Sequence, residues 1–327
     1  MTRRLLCVGE VVVDLVLRVP VLPGRGQDVL AGSTTAVAGG AVNVMTAARR
    51  QDVPVTYAGL LGTGPMGTLA AEALHAAGIE APLPHRDGRD TATIVALVEP
   101  DGERAFVTSL GAEADLTGAD LAAVAVRPDD VVYLSGYGLA YPSNGPALAG
   151  WVPTLPDTVT VVLDLGPMVA AIPTEVLLPV LARTDWLTST VAEAAALVDD
   201  VELSPNAVAG GAAHADAAEL ANALRERVRR VAVVRDGERG ASFATYAGLV
   251  AHVAEFPVSA VDRTGAGDAH TGCLVASLAR HGRHGTDIDI VAAVRRANAA
   301  AALAVTRHGP ATGPTTRELD EFLRLQA

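Results

Sequence analysis

The fold is decided by the stretch Val261-Asp262-Arg263-Thr264-Gly265-Ala266-Gly267-Asp268, which runs directly into the apolar segment AHTGCLVASLA at 269–279. A turn of small residues that leads into a helix directs unpaired backbone amides, and the positive end of the helix dipole, at one spot. Small residues also let a phosphate approach this backbone closely. A carboxylate at the mouth of the turn, here Asp268, can accept a proton from a hydroxyl. The stretch therefore predicts an anion hole beside a general base; a tight glycine turn with a capping aspartate is the plainer alternative.

On both sides of this stretch, short apolar runs alternate with alanine-rich segments of helical spacing. The predicted strands are 5–8, 55–61, 131–134, 160–164 and 230–234, and the predicted helices are 41–50, 68–77, 191–197, 213–228, 272–280 and 290–304. A loop is expected at 206–213, in the segment NAVAGGAA. This alternation is typical of a mostly parallel sheet that helices cover on both faces.

Two segments near the start of the chain break the alternation. Residues 11–37 and 90–108 have no helical periodicity, and the second segment indicates a hairpin around Pro100-Asp101-Gly102. We expect them to form a small separate β-layer that acts as a lid over a site. The predicted organisation is a core of residues 1–10, 38–89 and 112–327 with lid insertions at 11–37 and 90–111.

Composition excludes several mechanisms. The chain has 327 residues and no lysine, and its 25 arginines are outnumbered by 37 acidic residues, for a net charge of −12. Without lysine there is neither a Schiff base nor a complete phosphate loop of the G-x-x-x-x-G-K-[ST] type. The acidic balance argues against nucleic acid or an anionic membrane as a partner. Two cysteines, no signal peptide and no membrane-spanning stretch favour a cytoplasmic protein.

A second glycine turn indicates where a hydroxyl-rich ligand could bind. In Ala38-Gly39-Gly40-Ala41-Val42-Asn43 the glycines permit close approach to the main chain, and Asn43 offers both a donor and an acceptor. Asp14, after the first predicted strand, could hold a further pair of hydroxyls.

Together these segments resemble the ribokinase-like carbohydrate kinases, the PfkB family. The resemblance is carried, in the family's order, by GGAVN, AGLLGTGPMG, VVRDGERGA, VDRTGAGDAHTG and ANAAAALAVTRHGP. It implies a three-layer α/β/α ribokinase-like fold with a small β-sheet lid, and ATP-dependent phosphorylation of a hydroxymethyl group on a small sugar. It also implies Mg²⁺, potassium as an activator, and a homodimer formed through the lid.

The resemblance also assigns roles to residues. Asp268 would be the catalytic base, and the amides of Gly265, Ala266 and Gly267 the anion hole. The sugar would be held by Asp14, Gly39, Gly40, Asn43 and Asp268, and the nucleotide by Thr190, Arg235, Gly237, Gly240, Gly267 and Asn298. Glu193 would organise Mg²⁺ through water, and the monovalent cation would lie at Asp262, Thr264, Ala304, Arg307 and Gly309.

The chain departs from the family's pattern at several positions. The N-x-x-E element reads Thr190-Val191-Ala192-Glu193, and Arg235 replaces the usual threonine of the nucleotide turn. The acidic sugar contact of ribokinases has no match in 135–138. In that segment we expect Tyr137 to pack in the core, although it could instead contact the substrate. His270 is expected on a helix surface.

Three alternatives remain open from the sequence. A nucleoside kinase would share the same motifs, so the acceptor could be a pentose, a hexose, a keto-deoxy acid or a nucleoside. A family member that binds without catalysis would fit the loss of the asparagine at Thr190. The segment from Gly62 to Gly67 matches G-x-G-x-x-G between a predicted strand and a helix, the pattern of an NAD(P)-dependent oxidoreductase.

Overall fold

A computed structural model of the protein describes residues 3–199, 216–281 and 287–326; the loop expected at 206–213 lies outside them. The strands are β1 (Leu5–Val8), β2 (Val11–Arg18), β3 (Ser33–Gly40), β4 (Val55–Tyr57), β5 (Thr93–Val98), β6 (Arg104–Ser109), β7 (Val131–Ser135), β8 (Thr160–Asp164), β9 (Trp186–Thr190), β10 (Val231–Arg235), β11 (Ala241–Thr245) and β12 (Val250–Val253). The helices are α1 (Ala41–Arg50), α2 (Pro65–Ala76), α3 (Gly118–Ala122), α4 (Gly136–Ala140), α5 (Asn144–Trp151), α6 (Thr174–Arg183), α7 (Val191–Asp199), α8 (Ala217–Leu224), α9 (Ala266–His281), α10 (Asp287–Val305) and α11 (Thr316–Leu325).

The large sheet has the strand order β12-β11-β10-β9-β8-β7-β1-β4. From β10 to β4 neighbouring strands are parallel, and β11 and β12 extend one edge in antiparallel pairing. Parallel strands bring all their carboxyl ends to the same edge, where open α/β sheets bind their ligands.

Helices cover both faces of this sheet because side chains of a strand alternate between its faces. Leu5 and Cys7 of β1 pack in a core shared with α1, α2, α9 and α10. Leu6 and Val8 pack in a second core with α5, α6, α7 and α8. The three-layer α/β/α prediction is therefore confirmed. None of the helices within the described ranges is both long and apolar enough to cross a membrane.

The lid is a separate four-stranded sheet in the order β3-β2-β5-β6. β5 and β6 form the expected hairpin, and β5 pairs in parallel with β2. The buried carboxylate of Glu113 anchors both ends of this hairpin, because it accepts hydrogen bonds from the amides of Ala92 at 2.8 Å and Gly111 at 2.9 Å. β3 continues to Gly40, so residues 38–40 end a lid strand and lead directly into α1.

Candidate active site

The residues expected to hold a sugar meet where β1 passes into the lid strand β2. Asp14 lies on β2 with its carboxylate against Gly39 of β3, and a β-carbon built on Gly39 would be 2.1 Å from Asp14 Oδ2. Gly40 has φ +61°, and a β-carbon built there would be 2.3 Å from the carbonyl oxygen of Glu10. Position 40 therefore requires glycine, whereas a side chain at position 39 would displace the Asp14 carboxylate. This turn sets the start of α1.

Asn43 links this group to the first turn of α9. Its Nδ2 donates to Oδ2 of Asp268 at 3.0 Å. Its Oδ1 is buried without a hydrogen-bond partner among the described residues. Buried side-chain oxygens are rarely left unpaired in proteins, so this one is available to a hydroxyl donor from a ligand.

The surroundings of Asp268 suit it to accept a proton near neutral pH. Burial raises the pKa of this carboxyl to about 6, and the charges of Asp164 and Asp14 act in the same direction. The hydrogen bond from Asn43 and the charge of Arg235 lower the pKa and limit the rise. A base with a pKa just below the operating pH is deprotonated and still basic enough to catalyse proton transfer.

The predicted anion hole is the N-terminus of α9. Gly265 has φ +77°, and a β-carbon built on it would lie 2.0 Å from the carbonyl oxygen of Pro310. Gly267 is exposed, and the nearest atom to a β-carbon built on it is Cζ of Arg235 at 3.9 Å. Gly265 is thus required by the fold, whereas the space in front of Gly267 is open to a ligand.

Asp262 ties the loop before α9 to the loop after α10. Its Oδ1 accepts from the amide of Thr264 at 2.9 Å and its Oδ2 from the amide of Gly309 at 3.0 Å. Burial raises the pKa of Asp262, but these hydrogen bonds outweigh it and the pKa is lowered overall. Of the other two residues expected at a cation, Ala304 accepts at its carbonyl from the amide of Arg307 at 3.1 Å. The Arg307 side chain is directed to Glu318.

A cavity of about 740 Å³ lies beside the anion hole, between the end of β10 and the helices α9 and α10. All six residues expected to hold the nucleotide line it: Thr190, Arg235, Gly237, Gly240, Gly267 and Asn298. This volume suits a ligand of nucleotide size. Asn298 donates to the carbonyls of Val253 and Ala254, which fixes the wall opposite α9.

Thr190, where the family has asparagine, caps α7. Glu193 Oε2 accepts from the amide of Thr190 at 2.8 Å, and the amide of Glu193 lies 3.3 Å from Thr190 Oγ1. Burial raises the pKa of Glu193, the charge of Asp164 raises it further and that of Arg235 lowers it. Thr190 therefore holds this carboxylate at the end of β9.

Arg235 has two partners that the sequence reasoning missed. Its guanidinium pairs with Asp164, the last residue of β8, through two hydrogen bonds of 2.9 Å, and donates to Oγ1 of Thr271 at 2.6 Å. The available signal was that Asp164 ends a predicted strand at the ligand-binding edge of the sheet.

Two expectations about individual side chains are wrong. His270 is 3% exposed rather than on a helix surface, because it faces the nucleotide cavity from α9. Burial, with the charge of Arg235 second, lowers its pKa to about 3, so the ring is neutral. Tyr137 is 42% exposed rather than packed in the core. Burial raises its pKa, and the charges of Glu193 and Asp268 raise it further.

The N-terminus of α2 cannot serve as a dinucleotide site. Asp90, at the start of the lid hairpin, accepts from the amides of Met66 at 3.1 Å and Gly67 at 2.7 Å. A carboxylate thus already occupies the donors that a pyrophosphate would need. The oxidoreductase alternative drawn from Gly62 to Gly67 is therefore wrong.

A glycine-lined anion hole, an adjacent carboxylate and a nucleotide-sized cavity on a three-layer α/β fold define a nucleotide-dependent phosphotransferase. The profile described as "pfkB family carbohydrate kinase" matches residues 2–317. The chain belongs to this family, and it is an ATP-dependent sugar kinase.

Similar proteins agree with this assignment. An uncharacterized sugar kinase, YegV, of Escherichia coli (strain K12) is 30% identical over 313 residues, 95% of this chain and 91% of that protein. An ATP-dependent ribose-1-phosphate kinase of Halopiger xanaduensis is 28% identical over 323 residues, 98% of each chain. The crystal structure of ribokinase from Thermotoga maritima has a TM-score of 0.79 at 20% identity and covers 99% of this chain and 100% of that one. The predicted ribokinase-like fold and kinase activity are confirmed.

Proposed function

We propose that this kinase phosphorylates a hydroxymethyl group of a small sugar, with Asp268 as the general base. The observation that carries the proposal is the 3.0 Å hydrogen bond from Asn43 to Asp268. It joins the sugar-side group at the lid to the first turn of α9, so that one carboxylate faces both an acceptor hydroxyl and the anion hole. Asp14, Gly39 and Gly40 complete the sugar side.

The transfer requires little more than positioning and charge neutralisation. The sugar hydroxyl loses its proton to Asp268 as its oxygen bonds to the γ-phosphorus. The amides of Gly265, Ala266 and Gly267 donate to the phosphoryl oxygens, where fixed backbone dipoles stabilise the charge that spreads over them. ADP lies in the cavity lined by Gly237, Gly240 and Asn298, with its leaving oxygen toward α9.

Two cations belong to this proposal. Mg²⁺, when bound, neutralises charge on the β- and γ-phosphates, and Glu193 suits it as a partly buried carboxylate at the end of β9 that would act through water. A potassium ion would be held near Asp262, Thr264 and Gly309, with the carbonyls of Ala304 and Arg307. In this loop Asp262 already couples two backbone segments, so a cation there would stiffen the anion hole.

The acceptor is proposed as a small sugar. The similarity to a ribose-1-phosphate kinase adds sugar phosphates to the compounds that must be tried. A nucleoside is the second candidate, because Tyr137 offers an exposed aromatic ring in α4, directly after the carboxyl end of β7.

We further propose a homodimer that forms through the lid, whose insertions we take as 11–37 and 90–111. The edge strand β6 exposes Phe106 and Val107, and Leu110 just after it is also exposed. Exposed apolar residues on an open sheet edge favour pairing with a second chain. The free, buried thiols of Cys7 and Cys273 suit a reducing cytoplasm, where we place the protein.

The test is a screen of sugars, sugar phosphates and nucleosides coupled to ADP release, with and without K⁺, on the wild type and on Asp268→Asn. We expect one acceptor class to give rapid turnover that the variant loses. Product phosphorylated on a hydroxymethyl carbon, identified by ³¹P and ¹³C NMR, would support the proposal. Turnover of a nucleoside alone would move the assignment to the second candidate, and equal turnover by both proteins would overturn the role of Asp268.

A further inference from the structure

Arg235, at the end of β10, belongs to a closed ring of hydrogen bonds. Its Nη1 and Nη2 each donate to one oxygen of Asp164 at 2.9 Å. Nη1 also donates to Oγ1 of Thr271 at 2.6 Å, and this hydroxyl donates to Oδ2 of Asp164 at 2.9 Å. The side chains of Arg235 and Asp164 are only 12% and 13% exposed. A buried ion pair is weak evidence for stability, so a functional reason for this one has to come from its remaining donors and its place at the site.

The ring leaves part of the guanidinium without a partner. A guanidinium carries five N–H donors in a rigid fork, and the ring uses two on Nη1 and one on Nη2. Nε is buried and has no hydrogen-bond partner among the described residues. From Nη2 to Oε2 of Glu193 the distance is 3.8 Å, which is too long for a hydrogen bond. One edge of Arg235 therefore remains able to donate to a ligand.

The guanidinium lies at the anion hole. Its carbon is 3.9 Å from a β-carbon built on Gly267, and both residues line the nucleotide cavity. A phosphoryl group that reaches the amide of Gly267 would therefore also meet Arg235. The chain contains no lysine, so a cation at this place has to come from arginine or from a metal ion.

We propose that Arg235 is a catalytic residue that donates from its free edge to oxygens of the transferring phosphoryl group, and that Asp164 and Thr271 are positioning residues that hold it there. The inference rests on the proposed function. In the step, the acceptor oxygen bonds to the γ-phosphorus while the bond from this phosphorus to the β,γ-bridging oxygen breaks. The electron pair leaves on ADP, the acceptor proton passes to Asp268, and Arg235 keeps all its protons. A cation fixed beside the spreading charge lowers the barrier more than it strengthens ATP binding.

The first test removes the guanidinium and adds it back. In Arg235→Ala we expect kcat to fall by about a hundredfold or more, as when a preorganised donor to an oxyanion is lost, with a smaller change in KM for ATP. Guanidinium chloride, far below denaturing concentrations, should raise the kcat of this variant at least about tenfold by filling the space above Asp164. If the alanine variant does not fold, Arg235→Gln keeps a hydrogen-bonding side chain without the charge, and its kcat should fall in the same way.

The matched control is Arg4, which pairs with Asp130 through two hydrogen bonds at the opposite edge of the sheet and is at least as buried. Arg4→Ala should lower the melting temperature but leave kcat unchanged, and guanidinium should not affect its rate. A kcat for Arg235→Ala or Arg235→Gln within about threefold of wild type would overturn the catalytic role, since a purely structural pair would affect stability alone.

The second test addresses positioning. Asp164→Asn and Thr271→Val should each lower kcat, but neither should lower it further in the Arg235→Ala background, because their effects act through the same guanidinium. Guanidinium should no longer rescue the double variant Asp164→Asn, Arg235→Ala. Undiminished rescue there would refute the positioning role. If wild type turns over no acceptor, or Asp268→Asn remains active, the proposed function fails. If both behave as expected while Arg235→Ala retains its kcat, only this inference fails.

Discussion

The hydrogen bond from Asn43 predicts how the enzyme's pH dependence should respond to a substitution. Burial raises the pKa of Asp268 from 3.8 to about 6, and the hydrogen bond from Asn43 opposes the rise. The base is active when deprotonated, so kcat/KM should be half-maximal near pH 6, reach its plateau well above that pH, and fall about tenfold per pH unit well below it. Asn43→Ala removes a bond that stabilises the carboxylate, so it should move the acid limb of the profile upward.

The size of this shift follows from the strength of the bond. A hydrogen bond to a charged group contributes about 1.5–3 kcal/mol, and about 1.4 kcal/mol corresponds to one pKa unit. We therefore expect the acid limb of kcat/KM to move up by about one to two pH units. The assay is kcat/KM from pH 5 to 9 by coupled ADP release. Asn298→Ala is the control, because the Asn298 side chain donates to backbone carbonyls on the far wall of the cavity and should leave the limb in place. An unmoved limb in Asn43→Ala would refute the assignment of this titration to Asp268.

Three further predictions concern the turn, the metal and the lid. Gly265→Ala should lower the free energy of unfolding by more than the roughly 1–2 kcal/mol that a non-glycine residue costs in the left-handed conformation, because Pro310 leaves no room for a β-carbon. Gly267→Ala should have the melting temperature of wild type yet lose activity. Glu193→Gln should raise the Mg²⁺ concentration for half-maximal rate about tenfold or more, while Glu219→Gln, at the equivalent capping position of α8, should not change it. Phe106→Glu should convert a dimer into monomers in light scattering with size exclusion, whereas Tyr246→Glu, equally exposed on the large sheet's hairpin, should leave the dimer intact.

Much of this site could be predicted because its features are local. The turn at 262–268 fixes its own conformation through glycines and through the short contact between Asp262 and Thr264. The paired glycines before α1 do the same on the sugar side. Both turns also meet distant segments, at Pro310 and at Glu10, but the residue types that they need lie within a few positions of one another, so their spacing along the chain is informative. The predicted strands likewise coincide with β1, β7, β8 and β10 within a residue at each end.

The rest depends on contacts between distant segments. Asp164 and Arg235 meet only because β8, β9 and β10 align in register, with Asp164 opposite Thr188 and Arg235 opposite Thr190. Asp90, more than twenty residues further along the chain, accepts hydrogen bonds from the amides at the start of α2. It thereby occupies the dinucleotide site that the G-x-G-x-x-G spacing predicts. Helix α9 begins at Ala266, earlier than its apolar periodicity indicates. Its first turn consists of small residues and Asp268, so it carries little hydrophobic signal.

The most direct test of the account is the effect of Asp268→Asn on kcat, measured together with the affinity for ATP by calorimetry. Asparagine has nearly the same shape, so it should keep the turn and the cavity but cannot take the proton. We predict that kcat falls by more than the roughly 10²–10⁴-fold typical of a general base, while the Kd for ATP changes by less than about threefold, since Asp268 does not line the nucleotide cavity. A loss of kcat below about tenfold, in a variant that binds ATP normally, would contradict the assignment of Asp268 as the base.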